Sequence, residues 1–143
     1  MARVFAGYLN RDEATREVLD ADGWFYTGDL AVREAGQIRI VGRRSTDILK
    51  CGGYKVGAGE IEAALLEHPD VAAAAVIGVP DADLGENIVA FVVTRAPVES
   101  AALQDHVAGL LSPHKRPREI RFVDELPRNA MGKVQKSLLR ARG

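Results

Sequence analysis

Two apolar segments separated by a polar turn constrain the fold of this chain more than any other feature. Residues 71–79 form an uninterrupted apolar run, and residues 88–93 form a second segment rich in β-branched side chains. The residues at 81–85, with two aspartates and a glycine, have the composition of a turn. Neither segment approaches the roughly 20 residues that a membrane span needs. We therefore predict two long strands, the first of them buried.

Helical periodicity and prolines place the other elements of the second part of the chain. We predict a helix from about residue 58 to residue 67, with Ile61, Ala64 and Leu65 on its buried face and with Glu60, Glu62 and Glu67 facing solvent. A second helix should begin with Ser100 as its N-cap and end at Pro113. Short strands are predicted at 48–51 and 120–123, and a terminal helix at 134–142. From residue 43 onward this order, β-α-β-β-α-β-α, predicts an α+β domain that is large enough to fold independently.

Residues 1–42 have a different character and cannot form a core alone. Turn signals at 20–23 and 34–36 surround an aromatic segment at 24–26, and residues 37–41 alternate as a strand does. Few aliphatic residues accompany them, so we expect this β-rich segment to belong to a larger domain.

Composition excludes several classes of function. The chain carries 19 basic and 20 acidic residues, which gives no overall attraction for nucleic acid or for an anionic membrane. Cys51 is the only cysteine, so neither an intrachain disulfide nor a Cys-rich zinc site is expected. The three histidines fall in no metal or triad motif, so no metal held by protein ligands is expected. The first residues lack the apolar core of a secretory signal, and we expect a soluble, cytoplasmic protein.

Two motifs in the first half of the chain are suited to binding a nucleotide. In Tyr26-Thr27-Gly28-Asp29-Leu30 a carboxylate follows a glycine at a turn, where it could accept hydrogen bonds from the vicinal diol of a ribose. The segment 42–54 combines basic side chains with a double glycine that could contact phosphates or a pantetheine chain, namely Arg43, Arg44, Lys50, Gly52 and Gly53. Taken singly, the first motif is also typical of an ordinary surface turn, and the second of a solvated charged loop.

A third motif lies near the end of the chain. In Pro127-Arg128-Asn129-Ala130-Met131-Gly132-Lys133-Val134 a glycine presents a lysine on a loop. A lysine ammonium is a compact charge that can stabilise an oxyanion during acyl or phosphoryl transfer. Taken alone, Lys133 could equally be a surface lysine of no chemical importance.

Together and in this order, the three motifs resemble the adenylate-forming superfamily, which includes acyl-CoA synthetases, firefly-type luciferases and the adenylation domains of peptide synthetases. The resemblance covers essentially the whole chain, including Gly7-Tyr8-Leu9, Glu60-Ile61-Glu62 and Gly85-Glu86. The segments 46–55 and 57–60 are most similar to the malonyl- and methylmalonyl-CoA synthetase branch. The resemblance implies that residues 1–42 end a large AMP-binding domain and that residues 43–143 form a small, mobile C-terminal domain with a short antiparallel sheet and about three helices.

The resemblance also implies a reaction in two steps. A carboxylate and ATP give an acyl-adenylate and pyrophosphate, and the thiol of CoA then displaces AMP. Asp29 would bind the ribose with an arginine of the 43–44 pair, and Lys133 would neutralise the carboxylate and α-phosphate oxygens. The small domain then rotates about a hinge, Lys133 leaves, and the loop of Lys50, Gly52 and Gly53 frames the thiol channel.

One extra residue between Gly42 and Gly53, relative to many luciferase-like members, leaves the hinge assignment open. Counting back from Gly53 places Arg44 at the ribose and makes Thr46 the hinge. Counting forward from Gly42 gives Arg43 and Ser45 instead. Arg44 is preferred, and either hinge residue replaces the usual Asp or Lys with a small hydroxyl side chain.

The chain lacks the phosphate-binding loop, the acyl pocket and the metal-binding glutamate that the resemblance implies for full-length members. We therefore expect no synthetase activity from the chain alone, and Mg²⁺ only together with a large N-terminal domain as partner. The substrates implied are a small carboxylate, ATP and CoA.

The alternative is a non-catalytic α+β interaction module that kept the fold. A nucleic-acid role for the basic loop at 115–121 is less favoured, because acidic residues elsewhere cancel its field.

Overall fold

The computed structural model of the protein describes residues 5–43 and 47–142. Its elements, in chain order, are α1 (Asp12–Val18), β1 (Asp29–Glu34), β2 (Gln37–Arg43), β3 (Ile48–Cys51), β4 (Tyr54–Gly57), α2 (Ala58–Leu66), β5 (Val71–Asp81), β6 (Gly85–Thr94), α3 (Ser100–Leu110), a 3-10 turn (Pro113–Lys115), β7 (Glu119–Phe122) and α4 (Lys136–Arg140).

The strands form two sheets. Strands β1 and β2 pair antiparallel in a sheet of their own, and five strands form the larger sheet in the order β4-β3-β6-β5, with β7 added beside β6. The α+β class predicted from the sequence is confirmed. The larger sheet is mixed rather than purely antiparallel, because the chain crosses over through α3 and returns as β7 parallel to β6.

The hairpin of β5 and β6 is the centre of the fold. Its register runs from Val71 opposite Thr94 to Asp81 opposite Gly85. Alternate residues enter two different cores, so that Val76 packs on one side of the sheet and Ile77 on the other. Because both faces are buried, the run at 71–79 is continuously apolar instead of alternating with polar residues.

Different parts of the chain cover the two faces of the sheet. Helices α2 and α3 bury one face through apolar side chains that include Ile61, Leu65, Leu103 and Val107. The other face is covered by the C-terminal segment, which contributes Leu126 and Leu139. The segment that carries Lys133 is therefore held on the sheet at both of its ends.

Several local predictions were wrong. Helix α3 begins at Ser100 itself, and Glu99 occupies the N-cap position without a side-chain hydrogen bond, so Ser100 is not the cap. Helix α1 and strand β4 were not predicted, and the terminal helix is confined to Lys136–Arg140. Glu60 is buried instead of facing solvent, because two cations from other elements reach its carboxylate. Glu62 also turns from solvent, with 22% of its side chain exposed, because it accepts the Val76 N–H and pairs with Lys136.

A packing prediction follows from Gly78 on β5. A Cβ at this position would lie 2.5 Å from Glu86 Oε1 and 3.1 Å from Leu49 Cδ2. The Glu86 side chain cannot move away without losing its hydrogen bond from the Lys50 N–H. We expect Gly78→Ala to lower the free energy of unfolding by about 1–3 kcal/mol in chemical denaturation.

The matched control is Gly109 in α3, where an added Cβ meets no atom within 4 Å. Gly109→Ala should raise the stability by up to about 1 kcal/mol, because alanine loses less backbone entropy in a helix. Equal stability changes in the two variants would contradict the packing at Gly78.

Candidate functional site

The first motif places a carboxylate at the start of β1. Gly28 has a φ of 76°, which favours glycine, and the Asp29 N–H donates to Thr27 Oγ1 at 3.2 Å. The Asp29 side chain is exposed. In the register of β1 and β2, Asp29 stands opposite Arg43, so the backbone brings these two predicted nucleotide-binding residues together. Arg44, Ser45 and Thr46 lie outside the described residues.

The second motif is a two-residue turn that joins β3 to β4. Gly52 and Gly53 both have positive φ values, 58° and 82°, as a tight hairpin turn of this kind requires. The Gly52 N–H donates to the Leu84 carbonyl at 2.9 Å, and the Lys50 N–H donates to Glu86 Oε2 at 2.7 Å. The turn is thus fixed by Leu84, just before β6, and by Glu86 in β6, while Lys50, Gly52 and Gly53 stay exposed and a ligand can approach the glycine backbone closely.

The third motif is a compact loop that presents Lys133 to solvent. The Asn129 side-chain oxygen accepts the N–H groups of Met131 at 3.0 Å and Lys133 at 2.9 Å. The Arg128 guanidinium donates to the Gly132 carbonyl at 2.9 Å, and Gly132 has a φ of 82°. These contacts fix the backbone of the loop and leave the Lys133 side chain exposed.

The three motifs therefore lie on three separate elements. The β1–β2 sheet carries a carboxylate suited to a diol, the β3–β4 turn carries accessible backbone groups, and the C-terminal loop carries a cation. Each lies on a turn that hydrogen bonds hold in shape, as a binding or catalytic group requires.

A buried carboxylate connects the N-terminal segment to the rest of the chain. Glu60 on α2 is 8% exposed, and its two oxygens accept from Lys115 Nζ at 2.8 Å and from Arg39 Nη2 at 3.2 Å. Burial alone would raise the pKa of Glu60, but the hydrogen bonds and charges of Lys115 and Arg39 outweigh it and hold this pKa below the ordinary 4.5. The ionised carboxylate therefore stabilises the contact between β2 and α2.

This lowered pKa predicts a pH dependence of stability. A carboxylate whose folded pKa is depressed contributes stability above its unfolded pKa, and the contribution is lost as the pH falls through the folded value. At pH 7, Glu60→Gln should lower the free energy of unfolding by about 2 kcal/mol, because it removes two charge-assisted hydrogen bonds. Below the unfolded pKa of 4.5 the difference from the parent should shrink progressively.

Denaturant titrations between pH 7 and pH 3 measure this difference. The exposed Glu67, directly after α2, provides the control, and Glu67→Gln should change the stability little at any pH. A Glu60→Gln deficit that is constant over the whole range would contradict the assigned ionisation.

The histidines and the basic loop make structural contacts. His114 stacks on Tyr54 with ring centroids 4.3 Å apart, and His106 Nε2 lies 3.0 Å from the Ala64 carbonyl oxygen. In the basic loop, Lys115 and Arg116 are ion-paired to Glu60 and Asp105, respectively.

Across residues 5–43 and 47–142 no group of three or more His, Cys, Asp or Glu side chains could hold a metal ion. In the same ranges no helix has the length and apolar character of a membrane span.

Comparison with known proteins identifies a family and several relatives of the chain. The family model of the AMP-binding enzyme C-terminal domain matches residues 60–133. The chain is 44% identical over 138 residues to the mitochondrial malonate–CoA ligase ACSF3 of Homo sapiens, a match that covers 95% of this chain and 24% of that protein. It is 42% identical over 142 residues to the medium-chain fatty-acid–CoA ligase of Escherichia coli, covering 96% of this chain and 25% of that protein.

A solved structure agrees with these relatives. The o-succinylbenzoate CoA synthetase MenE from Bacillus subtilis, in complex with its acyl-adenylate intermediate, matches with a TM-score of 0.87 and 34% identity, over 96% of this chain and 28% of that one. The chain thus spans about a quarter of the length of the curated relatives that it matches.

Proposed function

This chain belongs to the AMP-binding enzyme C-terminal domain family, and we propose that it is the C-terminal part of an ATP-dependent acid–CoA ligase. The reaction joins a carboxylic acid to CoA and converts ATP to AMP and pyrophosphate. The observation that carries the proposal is a likeness to acid–CoA ligases over 95% of the chain, which includes all three exposed motifs. Within this proposal, residues 1–42 close the large domain and residues 43–143 form the small domain.

The acid is a small or dicarboxylic acid such as malonate. The human relative that is 44% identical is a malonate–CoA ligase, and this likeness supports the choice of acid. A medium-chain fatty-acid–CoA ligase is almost as similar, however, and the residues that enclose the acyl group belong to the large domain in this proposal. Direct comparison of malonate with octanoate as substrates therefore tests the acid separately from the reaction.

Lys133 acts in the first step. Adenylate formation brings the negative oxygens of the carboxylate and of the α-phosphate together, and their repulsion raises the barrier. An exposed ammonium on a loop of fixed backbone can enter between them and stabilise the charge as it develops. Asp29, with an arginine of the 43–44 pair, holds the ribose, so that the nucleotide keeps its position while the carboxylate attacks.

The β3–β4 turn acts in the second step. Because Gly52 and Gly53 carry no side chain, their backbone can approach a slender chain such as pantetheine. Lys50, exposed beside them, adds a positive charge near the departing AMP. A rotation of the small domain about residues 45–46, as the family resemblance implies, would move Lys133 away from the reacting carbonyl. The same rotation would bring the β3–β4 turn to that carbonyl.

Exposed apolar side chains support the proposal that a large domain covers the N-terminal segment. Trp24, Tyr26, Ile38 and Ile40 are all exposed on residues 5–43. Several large apolar side chains left exposed on one segment indicate an interface. In this proposal the large domain also binds the triphosphate and Mg²⁺.

Reconstitution tests the proposal. The chain alone should release no pyrophosphate from ATP and malonate, whereas a mixture with the complementary N-terminal part of the ligase should form malonyl-CoA once CoA is added. Turnover by the chain alone would contradict the proposal that it is only one part of the ligase. Tight association with the large domain without any ligation would instead support the alternative, a non-catalytic α+β interaction module.

A further inference from the structure

We propose that Lys136 is a positioning residue for adenylate formation, which fixes the base of the Lys133 loop to the start of the small domain. The inference rests on the function proposed above for Lys133. Lys136 itself does not touch the substrate in this proposal. It determines where the loop lies.

The side chain of Lys136 lies between two carboxylates from distant parts of the chain. Its Nζ donates to Asp47 Oδ1 at 2.8 Å and forms an ion pair with Glu62 Oε1 at 2.7 Å, and the side chain is 15% exposed. One ammonium thus joins the first residue of α4 to the residue before β3 and to helix α2. Charge-assisted bonds that are shielded from water are stronger and more directional than those on an open surface.

Both carboxylate residues are held by further contacts, so the anchor is rigid. Glu62 Oε1 also accepts the Val76 N–H at 2.8 Å, which ties it to strand β5. The Asp47 carbonyl accepts the Ala58 N–H at 2.7 Å, which ties it to the first residue of α2. Asp47 directly follows residues 45 and 46, the segment at which the sequence predicts the hinge.

The loop transmits the position of Lys136 to Lys133. The Gln135 N–H donates to the Pro127 carbonyl at 2.8 Å, and Arg128 pairs with Val134 in an isolated bridge. Together with the Asn129 contacts, these bonds make the loop a closed unit whose base is Lys136. A displacement of that base would therefore carry Lys133 with it, and a shift of about 1 Å in a reacting group can cost about 100-fold in rate.

The role can be separated from global folding. Leu139 is fully buried in the second core and packs α4 onto the sheet independently of the Lys136 ion pairs. Lys136→Met keeps the aliphatic stem of the side chain and removes the charge, so the fold should persist while the anchor is lost. Lys136→Arg restores a cation. The control is Arg95→Met, which removes a guanidinium that donates to the Pro69 and Val71 carbonyls at the start of β5 and not to the loop.

Hydrogen exchange on the full 143-residue chain is the first test. In Lys136→Met the amides of residues 129–135 should exchange about tenfold faster, while those of β5 and β6 keep the parent rate. Lys136→Arg and Arg95→Met should leave the loop at the parent rate. Unchanged exchange of the loop in Lys136→Met, or a rise of equal size throughout the domain, would overturn the proposal.

The half-reactions of the intact ligase are the second test. Lys136→Met should lower the rate of adenylate formation by about 10–100-fold and leave thioester formation from supplied acyl-adenylate within about twofold. Lys136→Arg should recover most of the lost rate. If Lys133→Ala impairs adenylate formation and Lys136→Met does not, the positioning role is wrong. If Lys133→Ala itself has no effect, it is the proposed function that has failed.

Discussion

Replacement of Lys133 by alanine lowers the rate of adenylate formation by about 100- to 1,000-fold in the intact ligase, while thioester formation from supplied acyl-adenylate stays close to the parent rate. This is the largest functional effect that we expect. The reason is that the ammonium stabilises charge that develops only in the first step. The two half-reactions are measured separately, the first by pyrophosphate release and the second by CoA-ester formation from synthetic malonyl-adenylate.

Met131→Ala is the matched control for this prediction. Met131 lies two residues before Lys133 in the same loop and is 92% exposed, so its truncation changes the loop surface without removing a charge. Both half-reactions should stay within about twofold of the parent. An equal loss of both half-reactions in Lys133→Ala would contradict the role assigned to the ammonium.

The largest expected effect on stability comes from Leu139. This side chain is 0% exposed and packs in the second core, whose members include Ile77, Phe91 and Leu126. Leu139→Ala removes buried methyl groups and leaves a cavity, and we expect it to lower the free energy of unfolding by about 2–5 kcal/mol. Urea denaturation followed by circular dichroism measures the change.

The neighbouring Leu138 gives a control of identical chemistry. It lies on the same helix but is 47% exposed, so Leu138→Ala should cost less than about 1 kcal/mol. Similar losses in the two variants would mean that α4 does not dock through Leu139.

The elements that could be predicted from the sequence are those with a strong local pattern. The β5–β6 hairpin was marked by its apolar runs and polar turn, and α2 by the helical spacing of Ile61, Ala64 and Leu65; the structure confirms both. The two-glycine turn was also visible, because only glycine adopts positive φ at both positions without strain. Strand β4 was not predicted, because Val56 is its only aliphatic side chain and its sequence therefore shows no apolar alternation.

The features that sequence reasoning missed depend on contacts between distant residues. Lys136 and Asp47 are 89 positions apart, and no local pattern pairs them. Glu60 was assigned to the solvent face of α2 because it is charged. Its spacing of four residues from the buried Ala64 was the available signal, since residues four apart share a helix face. The cations that stabilise the buried carboxylate, Arg39 and Lys115, belong to other elements and could not be assigned from α2 alone.

The most direct test of the central claim is the distance from Lys133 Nζ to the α-phosphate oxygens in a crystal structure of the whole ligase with an acyl-adenylate analogue. In the orientation that forms the adenylate, we predict hydrogen-bond contact at about 3 Å, with Asp29 on the ribose hydroxyls. A set of crystal structures in which Lys133 stays far from the nucleotide in every orientation of the small domain would contradict the proposed role of Lys133.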